Sequence, residues 1–318
     1  MKVWLIVAAS LIVVGLILFA VVIGMNRFDI KILNTQKYVS NTHEVVDDFH
    51  SISLVTDTAD VDFVLSTDGV CRVECYEEEN ATHAVTVEDG TLTVTLQNKK
   101  KWYQYIHIGI SSAPKLTVAL PQAEYEMLVI KENTGDVDIP ADFRFQGVEI
   151  LSDTGDVRSS ASVAEAMKIK TSTGNIEVKN ASFGALGLSV TTGKITVSSV
   201  TCAGDIDLHV STGKAILTDV SCQNFSSHGD TGELRMTNVI ANARFSIVRS
   251  TGDVRFEACD AAEITVTTDT GDVRGTLCSD KIFFTHTDTG RVEVPQSMAG
   301  GKCEITTDTG DIRIEIQA

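Results

Sequence analysis

Ser250-Thr251-Gly252-Asp253-Val254-Arg255-Phe256 is followed 19 residues later by Asp269-Thr270-Gly271-Asp272-Val273-Arg274. The Thr-Gly pair recurs ten times, with glycines at Gly135, Gly155, Gly174, Gly193, Gly213, Gly232, Gly252, Gly271, Gly290 and Gly310, always 19 or 20 residues apart. A fixed period of this length is the mark of a chain that stacks copies of one unit. Counting from each glycine, the +2 position is apolar throughout, from Val137 to Ile312, and +4 is mostly so. Upstream, −5 and −7 are apolar in most copies, as in Ile150 and Val148 or Val266 and Ile264. Each repeat therefore reads as two strands of period 2 joined at the Thr-Gly turn.

A strand, a turn, a second strand and a return use about 20 residues, the length of one coil of a parallel β-helix. The rival architecture, a β-propeller, needs about 40 residues per blade. The sequence thus predicts an all-β fold, a right-handed parallel β-helix (solenoid) of about ten coils over 127–318. The handedness follows from the strong preference of parallel crossovers. Glycine supplies a positive-φ turn, and the Asp or Asn that often follows it can bond neighbouring backbone.

Residues 46–126 alternate in the β manner without the repeat and are expected to cap the N-terminal end of the helix. Asp89-Gly90 marks a hairpin, Ile106 and Ile108 read as part of one strand, and Thr58-Ala59-Asp60-Val61 reads as a decayed first turn. Before this, Val3 to Gly24 is apolar except for Ser10. At 1.5 Å per residue it is long enough to cross a bilayer, so 1–25 is read as a transmembrane anchor and 26–45 as a polar stalk. A cleaved signal peptide is the competing reading, against which stand the length of the stretch and its lack of a small-residue cleavage site. The flanking charges nearly balance, and the bulk of the chain is placed outside the cytoplasm.

The Thr-Gly-Asp chemistry of the turns has a counterpart in a known group. The Asp89-Gly90-Thr91-Leu92 hairpin, the run Leu116-Thr117-Val118-Ala119-Leu120-Pro121 and the serial Thr-Gly-Asp turns resemble a bacterial putative-adhesin family of unknown function, over about 46–318. The resemblance implies a β-helical protein of the cell envelope and carries no catalytic residues with it.

The formal charge of −17 excludes the basic footprint of a nucleic-acid binder. Several constellations remain. Asp269, Asp288 and Asp308 share −2, while Asp272 and Asp311 share +1 with Asp253; stacked carboxylates invite calcium, and the plainer reading is turn capping. His209 and His228 occupy −4 of successive coils with Asp230 nearby, a zinc set short of a ligand or else exposed imidazoles. Lys99, Lys100, Lys101, Trp102, Tyr103 and Tyr105 cluster lysines with aromatics, suiting a lipid surface or a sugar, or simply a solvated hairpin tip.

Seven cysteines do not make a disulfide framework. Cys202 and Cys222 share +9, and Cys259 and Cys278 share +7, so both pairs are expected to stack as core ladders. Arg235, Arg255 and Arg274 share +3. No G-x-S-x-G, P-loop, H-E-x-x-H or G-x-G-x-x-G is present. The sequence therefore reads as a single-pass, outward-facing interaction or envelope-sensing module without catalysis and without an obligate cofactor, contacting an envelope protein or glycan. The alternatives are a polysaccharide-acting β-helix, for which the arginine column would need carboxylates beside it, and a scaffold on the cytoplasmic side. Because Asp311 to Ile316 is a strand at the end of the chain, the last coil is expected to be open and to pair with a second copy or else to capture a partner strand.

Overall fold

The computed structural model describes residues 37–99 and 113–317, with helical residues at Val7–Ala8, Ser10–Ile17 and Val21. The chain from Tyr38 onward is all β. The N-terminal strands are β1 (Tyr38–Val45), β2 (Ser51–Val55), β3 (Asp60–Leu65), β4 (Cys71–Glu78), β5 (Ala81–Glu88), β6 (Thr91–Asn98) and β7 (Lys115–Leu120). Next come β8 (Glu124–Thr134) and β9 (Val137–Ile139), and β10 to β15 run from Arg144 to Thr251. The chain closes with β16 (Val254–Thr270), β17 (Val273–Leu277), β18 (Lys281–Thr289), β19 (Val292–Glu293), β20 (Gly301–Thr309) and β21 (Ile312–Ile316).

Successive coils pair in parallel and in register, Val157 on Val137, Leu208 on Leu188, Arg255 on Arg235. The expected −7, −5, +2 and +4 columns form one continuous core, from Leu128, Ile130, Val137 and Ile139 to Cys303, Ile305, Ile312 and Ile314. At the turns glycine amides donate to the threonine carbonyl of the neighbouring coil, as from Gly252 to Thr270 and from Gly310 to Thr289. Gly252 has φ +146°, and a Cβ there would collide with the Gly232 carbonyl. Two separate constraints, conformation and close stacking, therefore require glycine at this turn.

A third inward column escaped the sequence pattern because it is polar in most coils, Val190 and Val210 excepted. Position −3 holds buried Glu132, Ser152, Thr171, Arg249, Thr268 and Thr307, with Thr56 in line. A second corner also lacked an obvious signal: Asn180, Ser199, Asp219, Asn238 and Ala258, all at +6, adopt left-handed φ near +50°. Asn and Asp tolerate that conformation through local hydrogen bonding.

The decayed turn is a true one. β2 and β3 form a coil in which Val61 pairs with Val137, Asp60 Oδ1 accepts the Asp136 amide, and Ala59 stands in the glycine column against Gly135. This first coil lies between two others. β2 pairs in parallel with β6 on one side and β8 on the other, and β3 does the same with β7 and β9. Beyond β6 and β7 the pairing turns antiparallel, with β5 on β6, β4 on β7 and β1 on β4. Asp89-Gly90 makes the expected hairpin, Glu88 facing Thr91. The stalk reading over 26–45 requires correction at its end, because Tyr38–Val45 is strand β1, which satisfies the otherwise open edge of β4.

The C-terminal end repeats this interleaving and overturns the expectation of an open last coil. β20 pairs with β16 on one face and β18 on the other, and β21 lies between β17 and β19. The final coil in sequence is thus the penultimate coil in space, and Lys281–Glu293 forms the end. Composition explains the order. The inserted coil brings Cys303, Ile305, Ile312 and Ile314 to the core, whereas the end coil turns only half-buried Phe283, Thr285 and Thr287 inward. Burying an isoleucine is worth about 1.5–3 kcal/mol, so the more polar coil is the one left facing solvent.

Among the described residues no helix is long and apolar enough to cross a membrane. Half of the anchor predicted between Val3 and Gly24 lies outside the described residues.

Candidate functional site

The solenoid offers three places where side-chain chemistry concentrates: the edge beside the Thr-Gly turns, the open end, and the junction between cap and first coil. Along the turn edge the +1 residues form an intercoil ladder. Asp156 donates its amide to Asp136 Oδ1, Asp272 to Asp253 Oδ1, Asp311 to Asp272 Oδ1, and Arg291 to Asp311 Oδ1. Their second oxygens meet the +3 arginines, Arg274 bridging Asp272 at 2.7 Å and Asp311 at 3.2 Å. Arg255 spans Glu233 and Asp253, and Arg235 pairs with Glu233.

The column Arg235, Arg255, Arg274 therefore does stand beside carboxylates, extended by Arg313, but each guanidinium already has an acidic partner. Exposed pairs of this kind contribute little individually, about 0–1 kcal/mol. Their consequence is charge balance along the ridge. Asp272 and Asp311 are thus engaged in the ladder, and Asp288 binds His286 Nε2 at 2.9 Å, while Asp269 and Asp308 are exposed.

The histidine pair behaves similarly. His209 Nε2 bonds Ser211 Oγ and His228 Nε2 bonds Ser226 Oγ, each at 3.1 Å, and Asp230 is exposed, acting electrostatically on buried Arg249. Neither the aspartate set nor the His209, His228, Asp230 set converges as a metal-holding group. Lys99 is exposed just after β6, its amide donating to the Asn80 carbonyl. Lys100, Lys101, Trp102, Tyr103 and Tyr105 lie outside the described residues, as do Ile106 and Ile108.

All seven cysteines are free thiols. Cys202 and Cys222 stack and are buried as expected. Cys259 and Cys278 do not. A bulge after Phe256 slips the register so that Cys259 faces Leu277, which leaves Cys278 the one exposed cysteine.

Among the described residues the open end shows an unpaired strand edge together with apolar side chains. Phe284 is 54% exposed, with Ile282, Val292 and Met298 exposed nearby in sequence. An uncovered β edge of this kind is a template for another strand.

The cap junction holds the group that sequence reasoning missed. Cys75 and Glu77 alternate inward on β4, and His83 does so on β5, all almost fully buried. His83 Nδ1 lies 2.7 Å from Glu77 Oε2, which also accepts the His83 amide at 2.6 Å, while Asn41 donates to Oε1 at 2.6 Å. His83 Nε2 meets Thr56 Oγ1 at 3.1 Å, tying the cap to the first coil. Burial, reinforced by Glu77, pushes the Cys75 thiol up to about 12. A cavity of about 20 Å³ beside Thr56, Ala81 and His83 has room for a single water. The signal was present in the odd-numbered alternation Cys71, Val73, Cys75, Glu77, which places a carboxylate on a core column.

One coil further in, both Glu132 oxygens are buried without a hydrogen-bond partner, as is Ser152 Oγ. Burial pushes this carboxyl up to about 7, with Asp136 and Asp60 adding to the rise; the Ser152 hydroxyl tempers it without reaching bonding geometry.

These features define a β-solenoid of stacked Thr-Gly coils closed by an antiparallel cap. The chain belongs to the Toastrack DUF4097 family, which it matches over residues 49–211 and 203–318, and the earlier likeness to the putative-adhesin group of unknown function holds. Solved structures of similar form include one described as a putative adhesin from Parabacteroides distasonis, 14% identical over 86% of this chain and 98% of its own, with a TM-score of 0.42. Another from the same organism, described as a putative lipid binding protein, is 14% identical over 87% of this chain and 97% of its own, with a TM-score of 0.46. A putative adhesin from Bacteroides fragilis is 20% identical over 88% and 97%, with a TM-score of 0.34. Among curated proteins none matches significantly.

Proposed function

We propose that the chain is a non-catalytic interaction module, held at a cell membrane by its N-terminal apolar segment, with the solenoid outside the cytoplasm and its open end as the contact surface. One observation carries this reading: the two ends of the rod are unlike. The N-terminal end, which the segment leading from Val3–Gly24 adjoins in sequence, is covered by an antiparallel layer of β1, β4 and β5, whereas among the described residues the far end carries no such layer and exposes Phe284 and Ile282. Roughly a dozen layers spaced about 4.8 Å apart set that edge on the order of 50 Å from the cap. A stiff spacer with a reactive tip suits contact with a second copy or with a strand of an envelope protein. Lipid or sugar contact by the Trp102 segment remains part of the proposal as a secondary contact.

Sedimentation of the full chain in detergent tests the tip. Self-association at about 100 µM that is lost on Phe284→Lys supports a homotypic contact. Unchanged association in Phe284→Lys removes the open end from the account. Cleavage of an acidic polysaccharide that depends on Arg255 would replace the reading with the enzymatic one.

A further inference from the structure

We propose that Cys75, Glu77 and His83 form a binding site for a zinc-class divalent cation that staples the β4–β5 cap. Their donor atoms all lie within 4.8 Å of one another, and among the described residues no other group of three such donors does so. A thiolate, an imidazole and a carboxylate form a borderline-soft donor set that suits zinc rather than calcium or magnesium.

The arrangement around these donors has the form of a supported metal site. Nδ1 of His83 and Oε2 of Glu77 face each other at 2.7 Å, a hydrogen-bond distance, so both atoms already converge on one point and need to part only slightly to take a cation in place of the proton. With Nε2–H donating to Thr56 Oγ1, the Nδ1 lone pair points into the cluster. Asn41 fixes the other carboxylate oxygen through Oε1. Outer partners of this kind orient ligands and set their basicity. Cys75 adds the third donor from the same face of the same strand.

In the metal-free protein the proton between His83 and Glu77 satisfies the pair, and Cys75 stays a neutral thiol beside a carboxylate. Binding releases the Cys75 proton to solvent and leaves the imidazole proton on Nε2, donating to Thr56 Oγ1, as metal capture by thiol and imidazole requires. The resulting bonds join β4 to β5 directly and, through Thr56, reach the first coil. The site is nearly closed to solvent, which marks its role as structural.

Cobalt titration of the full chain in detergent, after chelator treatment and in a Cys278→Ser background that removes the exposed thiol, tests the site. The expected result is one equivalent bound, with a thiolate-to-cobalt charge-transfer band in the near ultraviolet that disappears in Cys75→Ser. Zinc is expected to displace the cobalt and raise the melting temperature. Should Cys75→Ser fail to fold, Glu77→Gln keeps the shape of the side chain and should weaken cobalt binding at least about tenfold. No cobalt binding, a band that survives Cys75→Ser, or equal affinity in Glu77→Gln overturns the proposal.

Discussion

Glu132→Gln should stabilise the protein at alkaline pH and do so progressively less as the solution is acidified. Glu132 is 4% exposed, both its oxygens lack partners, and its pKa rises from 4.5 to about 7 because burial penalises the charged form. The folded chain therefore holds this proton more tightly than the unfolded chain does. The associated stabilisation is complete below pH 4.5 and is lost as pH rises through about 7. A displacement of about 2.5 pKa units corresponds to about 3 kcal/mol as an upper bound, since each unit is worth about 1.4 kcal/mol. Linkage at pH 5 leaves under about 1 kcal/mol of that cost already incurred. Roughly 270 ordered residues at about 2.1 cal/mol/K each convert the difference of about 2.5 kcal/mol to about 4 °C. Thermal melts of wild type and Glu132→Gln at pH 5 and pH 8.5 check this, and comparing the two pH values cancels the fixed cost of burying an amide. A melting difference that is the same at both pH values would show that Glu132 is not a buried, unpaired carboxyl.

Gly252→Val should cost more than about 2 kcal/mol, because it combines a positive φ with a collision against the Gly232 carbonyl, and an unchanged melting temperature would refute the stacked turn. Hydrogen exchange should find the amides of Ile305 and Ile312, near the chain terminus, slower than those of Phe283 and Thr285; the opposite order would mean that the coils stack in sequence order. Millimolar calcium should raise the melting temperature no more than matched ionic strength does, since Asp272 and Asp311 are occupied by Arg274 and backbone amides. A rise specific to calcium would show that these carboxylates are available.

The repeat was legible because its apolar columns at −7, −5, +2 and +4 and its glycines obey simple steric rules. The stacking order was not. Every coil presents the same register, so pairing geometry alone cannot distinguish Gly271 beside Gly290 from Gly271 beside Gly310. The deciding quantity is which coil is too polar to be buried on both sides, and Thr285 and Thr287 against Ile305 and Ile312 give the answer in retrospect. The −3 column was hidden for a related reason: Glu132 and Arg249 look like surface residues until the coil curvature turns them inward. At the cap, Glu77 and His83 read as ordinary strand polarity because their partners, Asn41 and Thr56, come from distant segments.

The exposed thiol of Cys278 gives the most direct test of the central claim, that the solenoid is displayed outside the cytoplasm, because the other six cysteines are buried. Spheroplasts carrying the full chain are treated with a bulky maleimide that does not cross membranes, with Cys278→Ser as the control. The account predicts labelling of the wild type before permeabilisation and none of the control. Labelling that appears only after the membrane is opened would contradict it.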